Sequence, residues 1–252
     1  LKHFYQTTAL AIYKEFDTCI RDLPSLITVF YLIQYFNCKK ILEVGFYQGQ
    51  TFGAMLEAAA AGSQLTTIDP VLRTNIYNKY YHNSNHTKDK HVDLLEIKFE
   101  DFKSAETYDF ILIDSGMPSD EWINTPTSLD DAVELDVDRS DHLIRSLQYA
   151  TNNTIIALDD YRRLPAEVDR FLSSQTEFVP FLMDGTTLYF HKSAHNASDF
   201  LDNFLESKIS NSCSLYNIEY RNYIIKNVEL NQYIDLYDFK DLWLDIFKIK
   251  NI

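Results

Sequence analysis

The chain has 252 residues, 46% of them hydrophobic, and sets 37 acidic side chains against 23 basic ones for a formal net charge of −14. That length supports one α/β core with attachments, whereas the charge opposes duplex nucleic acid or an anionic membrane as partner, since both need a positive patch. No apolar run reaches the roughly 18 residues of a membrane-spanning helix. There is no basic-then-apolar leader pattern, and Cys19, Cys38 and Cys213 form no CxxC or zinc spacing, so reduced thiols in a cytoplasmic protein are expected.

In chain order, residues 4–21 place Leu10, Ile12, Tyr13, Phe16 and Ile20 at helical spacing. Asp22 reads as an N-cap with Pro24 in the first turn, opening an apolar helix over residues 26–36 that Asn37 and Cys38 close. Elements then alternate. A strand over 40–44 leads to a helix over 51–61. A strand over 65–68 leads to a polar stretch, 71–89, with a short helix and a loop. Strands follow over 92–99 and 108–113, then a polar loop over 115–128, a helix from about 129 to 150, a strand over 154–158 and a helix over 165–174. The last strands, 178–183 and 187–191, flank Asp184-Gly185, a hairpin signal.

Near-continuous apolar strands separated by helices predict a parallel sheet covered on both faces. The expected fold is α/β and Rossmann-like, with seven mostly parallel strands and a C-terminal antiparallel hairpin strand. The expected division is an N-terminal helix over 1–22, a main domain over 23–192 and a helical extension over 193–252. In that extension Tyr216, Tyr220, Tyr223, Tyr233 and Tyr237 recur near helical spacing, which reads as packing on the domain or on a partner.

The densest chemical signal is Ile41-Leu42-Glu43-Val44-Gly45-Phe46-Tyr47-Gln48-Gly49-Gln50-Thr51. An apolar strand ends in an acid, a turn with two glycines follows, and an Ala-rich helix begins. Strand, glycine turn and helix is how an α/β protein brings backbone up to a nucleotide-like ligand. The next strand ends in Asp69, about 20 residues on, where a carboxylate suits a pair of ribose hydroxyls; an Asx turn before Pro70 is the ordinary alternative. Strand four ends in Asp114 and strand five in Asp159-Asp160, so carboxylates collect at the strand ends where ligands of open α/β sheets bind.

This order of strands and motifs resembles the class I S-adenosylmethionine-dependent methyltransferases over roughly residues 26–192. Glu43-x-Gly45-x-x-x-Gly49 is similar to their first motif, Asp69 to their ribose-binding acid, and Glu100-Asp101 to their acidic contact near the adenine. Asp114 is similar to the acid that borders the reaction centre, and the closing hairpin to their reversed seventh strand. A dinucleotide motif would instead want glycine at Tyr47 and at Gln50. The resemblance implies that Glu43, Gly45, Phe46, Tyr47, Gly49, Thr51, Asp69, Glu100, Asp101 and Asp114 hold S-adenosylmethionine.

Within that group the first motif looks like that of small-molecule O-methyltransferases of the catechol and sugar kind. It implies methylation of a sugar or hydroxylated metabolite, and a site for Mg²⁺ or another divalent cation at Asp114, Asp159 and Asp160. A hard cation takes such oxygen ligands and lowers the pKa of a bound hydroxyl. Two adjacent carboxylates repel without a cation or donor, although Arg162 and Arg163 could serve. The base is open. Ser115-Gly116-Met117-Pro118 departs from both the histidine of the sugar enzymes and the lysine of the catechol enzymes. Asp114, His142, Asp141 and Tyr161 are the candidates, with a surface histidine as the ordinary reading of His142. His82, His86 and His91 are too irregularly spaced to predict a metal cluster. The loop over 115–128 is the expected lid. Also open are a catalytically inactive assembly subunit, a protein methyltransferase, and a homo-oligomer joined through the extension.

Overall fold

A computed structural model describes residues 4–9, 11–12, 23–82, 84, 87–115, 139–159, 165–183, 187–192 and 234–235. Helix α1 (Leu23–Tyr35) leads into β1 (Lys40–Val44), α2 (Gln50–Ala58), β2 (Gln64–Ile68), α3 (Thr74–Tyr80) and β3 (His91–Leu95). A 3-10 turn (Phe99–Asp101), β4 (Tyr108–Ile113), α4 (Arg139–Ser146), a 3-10 turn (Leu147–Tyr149), β5 (Ala150–Leu158), α5 (Pro165–Ser174), β6 (Val179–Met183) and β7 (Leu188–His191) follow, with β8 (Ile234–Asp235) last.

The sheet order is β3-β2-β1-β4-β5-β7-β6-β8. Strands β1 to β5 pair in parallel, and β7 runs antiparallel to both β5 and β6. Strands β1 to β7 make the seven-strand arrangement expected from the sequence, with the reversed strand inserted beside β5, and β8 adds an eighth at the edge. The hairpin turn at Asp184-Gly185 lies outside the described residues. In the tail the described residues form β8, parallel to β6, where helix was expected; the rest of the extension, and most of the N-terminal helix, lie outside them.

Side-chain alternation builds the two layers. Ile41, Phe110, Leu112, Ile155 and Ala157 pack on one face with Leu26, Ile27 and Leu32 of α1 and Phe52 and Met55 of α2. Leu42, Val44, Ile111, Ile113, Ile156 and Leu158 pack on the other with Leu143 of α4 and Val168 and Phe171 of α5. Each of these side chains larger than alanine contributes about 1.5–3 kcal/mol by leaving water. Both faces of the strands are therefore apolar, as a covered parallel sheet requires.

Two expected elements differ. β3 ends at Leu95 rather than running to residue 99, because the chain curls so that Phe99 enters the second core with Phe102 and Tyr149. The helix expected to reach residue 150 stops at Ser146, and β5 starts at Ala150, paired with Tyr108. There Thr154 Oγ1 donates to the Tyr108 carbonyl at 2.6 Å and accepts from the Thr151 amide at 2.7 Å, satisfying the backbone where the register shifts.

Candidate functional site

Successive strands run out at one edge, and the ladder continues one residue past each. The amides of Gly45, Asp69, Asp114 and Asp159 donate to the carbonyls of Ile68, Leu95, Val44 and Ile113 at 2.8, 3.1, 2.8 and 3.0 Å. The motif residues are thus lined up along the C-terminal rim. Strand order reverses between β1 and β4, and the crevice of an open α/β sheet opens at such a point. Gly45 stands on one side of it and Asp114 on the other.

The turn after β1 needs left-handed backbone three times: Gly45 at φ 102°, Tyr47 at φ 42° and Gly49 at φ 69°. Glycine takes such angles without penalty. Tyr47 does not, and its place is held by Asp69. Oδ2 of Asp69 accepts from the amides of Phe46 and Tyr47 at 2.8 and 3.1 Å, while Oδ1 accepts from the Val71 amide at 2.8 Å. Asp69 therefore makes the Asx turn before Pro70 and also clamps the glycine turn. Phe46 is buried against Phe52, with ring centroids 5.5 Å apart, and a Cβ on Gly49 would come within 2.6 Å of the Phe46 ring. Tyr47 is exposed, with the Arg73 guanidinium 4.8 Å from its ring centroid. Thr51 is buried in the first turn of α2.

Glu43 is buried, and Thr67 Oγ1 donates to its Oε2 at 2.6 Å. Tyr81, buried at the end of α3, donates to the Gly49 carbonyl at 2.7 Å. Burial, and then the charge of Glu43, push the Tyr81 hydroxyl well above its ordinary pKa, so it stays a donor. Two polar side chains far from the motif in sequence, Thr67 and Tyr81, thus hold the motif in place. An alternating strand and an aromatic helix gave no sign of either.

Across the crevice, Asp114 and Ser115 are half-buried. Ser115 Oγ lies 2.6 Å from Nδ1 of His142, whose Nε2 lies 2.8 Å from Glu100 Oε1. His142 is not a surface histidine: the turn carrying Phe99 and Glu100 folds over α4 and buries it. The His142 hydrogen bond is the largest cause holding the Glu100 carboxyl below its ordinary pKa. Asp101 is exposed. Asp141 is exposed on α4 and ion-paired to Arg170 at 2.8 Å, so it faces away from the crevice toward α5. Tyr161 and the expected lid beyond Ser115 lie outside the described residues.

Of the carboxylates expected to bind a cation, Asp159 has a protein partner for its side chain. Asp159 is buried, its Oδ1 accepts from Thr187 Oγ1 at 2.9 Å, and the buried Arg139 guanidinium donates to its carbonyl at 2.8 Å. Asp160 lies outside the described residues, and among these no three His, Cys, Asp or Glu residues gather as a metal group. His82 and His91 are exposed, His91 pairing with Asp93 at 3.0 Å, and His86 lies outside the described residues. A cation site at Asp114, Asp159 and Asp160 is thus not seen among the described residues.

No protein-family model matches the chain, and no curated protein matches it by sequence. Solved structures do match it. A methyltransferase from Geobacter sulfurreducens is 16% identical, with 72% of this chain and 86% of that one covered and a TM-score of 0.51. The O-methyltransferase from Bacillus cereus, in complex with SAH, is 13% identical, with 75% and 93% covered and a TM-score of 0.50. Cofactor-bound Rv0187 from MTB is 11% identical, with 74% and 88% covered and a TM-score of 0.55. The chain has the class I methyltransferase fold. In that fold the glycine turn, Asp69 and Asp114-Ser115 lie on the rim of a single crevice. No helix among the described residues is long and apolar enough to cross a membrane.

Proposed function

We propose that the chain is an S-adenosylmethionine-dependent methyltransferase acting on an oxygen of a small molecule such as a sugar or hydroxylated metabolite. The observation that carries this reading is the close approach of Gly45 to Asp114. There is no room for a Cβ at Gly45, so two bare stretches of main chain flank the crevice at the strand-order reversal. Asp69 holds the amides of Phe46, Tyr47 and Val71 and keeps the turn open, with a lone pair on Oδ1 left for a ribose hydroxyl.

The cofactor, when bound, supplies a methyl group already activated by its sulfonium charge. The protein's part is alignment of the acceptor oxygen and removal of its proton. Asp114, beside the glycine turn, is the carboxylate we assign to that end of the crevice. His142 is not assigned as the base, because both ring nitrogens are taken by protein partners. No step is assigned to a divalent cation. Titration calorimetry with S-adenosylhomocysteine tests the reading: micromolar binding is expected, and none at high micromolar ligand would sink it.

A further inference from the structure

Gly49 opens α2 with left-handed backbone, φ 69°, and, being glycine, offers the helix no side-chain cap. Its carbonyl takes two hydrogen bonds. The Gly53 amide donates at 2.9 Å, as a helix requires, and the Tyr81 hydroxyl donates at 2.7 Å. In a planar trans peptide the amide hydrogen opposes the carbonyl. Holding the Gly49 carbonyl therefore also fixes where the Gln50 amide points, at the start of α2 beside the glycine turn. Tyr81 is itself held from outside. A Cβ on Gly53 would come within 2.4 Å of the Phe4 ring and 2.7 Å of the Tyr81 hydroxyl oxygen. The ring and the hydroxyl thus share the space over one glycine. Glycine inside a helix is unfavourable beside alanine, and the room it leaves here is filled by Phe4.

Phe4 joins Ala9 and Ile12 in the first core, with Phe52 and Tyr81. Tyr5–Ala9 make a single turn of π-helix, a rare form; what seats the segment is its buried side chains. We propose that Phe4 is a positioning residue for cofactor binding: seated over Gly53, it keeps water from Tyr81 and so holds the hydroxyl on the Gly49 carbonyl and the glycine turn in its binding form. The inference rests on the methyltransferase reading. Its physical basis is the dryness of the contact. Phe4 and Tyr81 are each 2% exposed, and a hydrogen bond in a low-dielectric interior is stronger than one in water. Without the ring, water reaches Tyr81 and competes for its hydroxyl. The Gly49 peptide is then held by the Gly53 amide alone.

Titration calorimetry with S-adenosylhomocysteine tests this by comparing wild type with Phe4→Ala, Tyr81→Phe and the double variant. Tyr81→Phe keeps the ring and removes the hydroxyl, and should raise Kd about threefold to tenfold, the worth of one hydrogen bond. Phe4→Ala should raise it by a similar factor. The double variant should bind within about twofold of Tyr81→Phe alone, because residues that act through one contact are not additive. Phe4→Leu, which refills most of the notch, should return to within about twofold of wild type. Gly53→Ala puts a methyl where the ring sits while favouring the helix. It should raise Kd by about threefold or more, and it carries the test should Phe4→Ala not fold. A ring that only stabilised the fold would lower the unfolding temperature of Phe4→Ala and leave Kd unchanged. Wild-type affinity in Phe4→Ala, Tyr81→Phe or Gly53→Ala, or losses that multiply in the double variant, would overturn the inference and leave the methyltransferase reading standing. Failure of the wild-type chain to bind the ligand would overturn that reading and the inference with it.

Discussion

Gly45 and Asp114 touch through their main chains: a side-chain carbon on Gly45 would overlap the Asp114 carbonyl oxygen and lie 2.7 Å from its carbonyl carbon. The two residues end neighbouring parallel strands, and the Asp114 amide already donates to the Val44 carbonyl at 2.8 Å. Neither strand can yield without breaking the ladder. Gly45→Ala is therefore doubly unfavourable, through overlap and through φ 102°. We expect a loss of roughly 2–4 kcal/mol of stability and loss of S-adenosylhomocysteine binding. Chemical unfolding beside calorimetry checks both, and a stable, binding variant would contradict the packing described.

Asp69 satisfies three amides, those of Phe46, Tyr47 and Val71. Asp69→Ala leaves them without this partner and frees the strained Tyr47. The expected result is about 2–4 kcal/mol of destabilisation and a larger proportional loss of cofactor affinity. Asp69→Asn should recover part of the stability, because one amide oxygen still accepts, yet recover less of the binding. Equal recovery of both would show that the carboxylate serves the turn alone.

Thr67 Oγ1 donates to the buried Glu43 carboxylate. Thr67→Val keeps the shape and removes that donor, at an expected cost of about 1–3 kcal/mol. Thermal unfolding at neutral pH reads it directly. A neutral substitution would mean that other contacts of Glu43 suffice.

Glu100 gives a pH dependence of definite sign. Its folded pKa lies below the ordinary glutamate value, first because of the His142 hydrogen bond. The folded state therefore favours the ionised form. The resulting stability is complete above the unfolded glutamate pKa and is lost as pH falls through the lowered folded value. The side chain is 59% exposed, so solvent screening keeps the effect under about 1 kcal/mol. The stability gap between wild type and Glu100→Gln should be present at neutral pH and shrink below about pH 4. A gap that widens toward acid would mean that the folded state favours the protonated form of Glu100 instead.

A chelator separates the metal reading from the one favoured by the geometry. With Arg139 bonded to the Asp159 carbonyl and Thr187 to its carboxylate, EDTA should leave S-adenosylhomocysteine affinity and methyl transfer unchanged. Loss of transfer, restored by Mg²⁺, would show that Asp160 and its neighbours complete a cation site.

The layered sheet was legible in the sequence because its signal is local. Apolar runs such as Phe110 to Ile113 fill both faces of a strand, and the strand ends are marked by Asp69, Asp114 and Asp159 in the same hydrogen-bonded position. The glycines at 45 and 49 were legible for the same reason: the turn's left-handed backbone is written into residue type. The extent of β3 and of the helix before β5 was not, since burial of Phe99 and the Thr154 bonds to Tyr108 and Thr151 decide them across the fold.

By itself, then, the sequence determined which residues stand on the rim of the crevice, because strand periodicity and turn chemistry depend on near neighbours. Only the tertiary structure decided what those residues touch. Asp69 turns to the glycine turn, Asp159 to Thr187, and His142 to Glu100 and Ser115, 42 and 27 positions away. Hydrogen-bond partners at such separations are set by how the layers pack, and no local pattern of residue types encodes them.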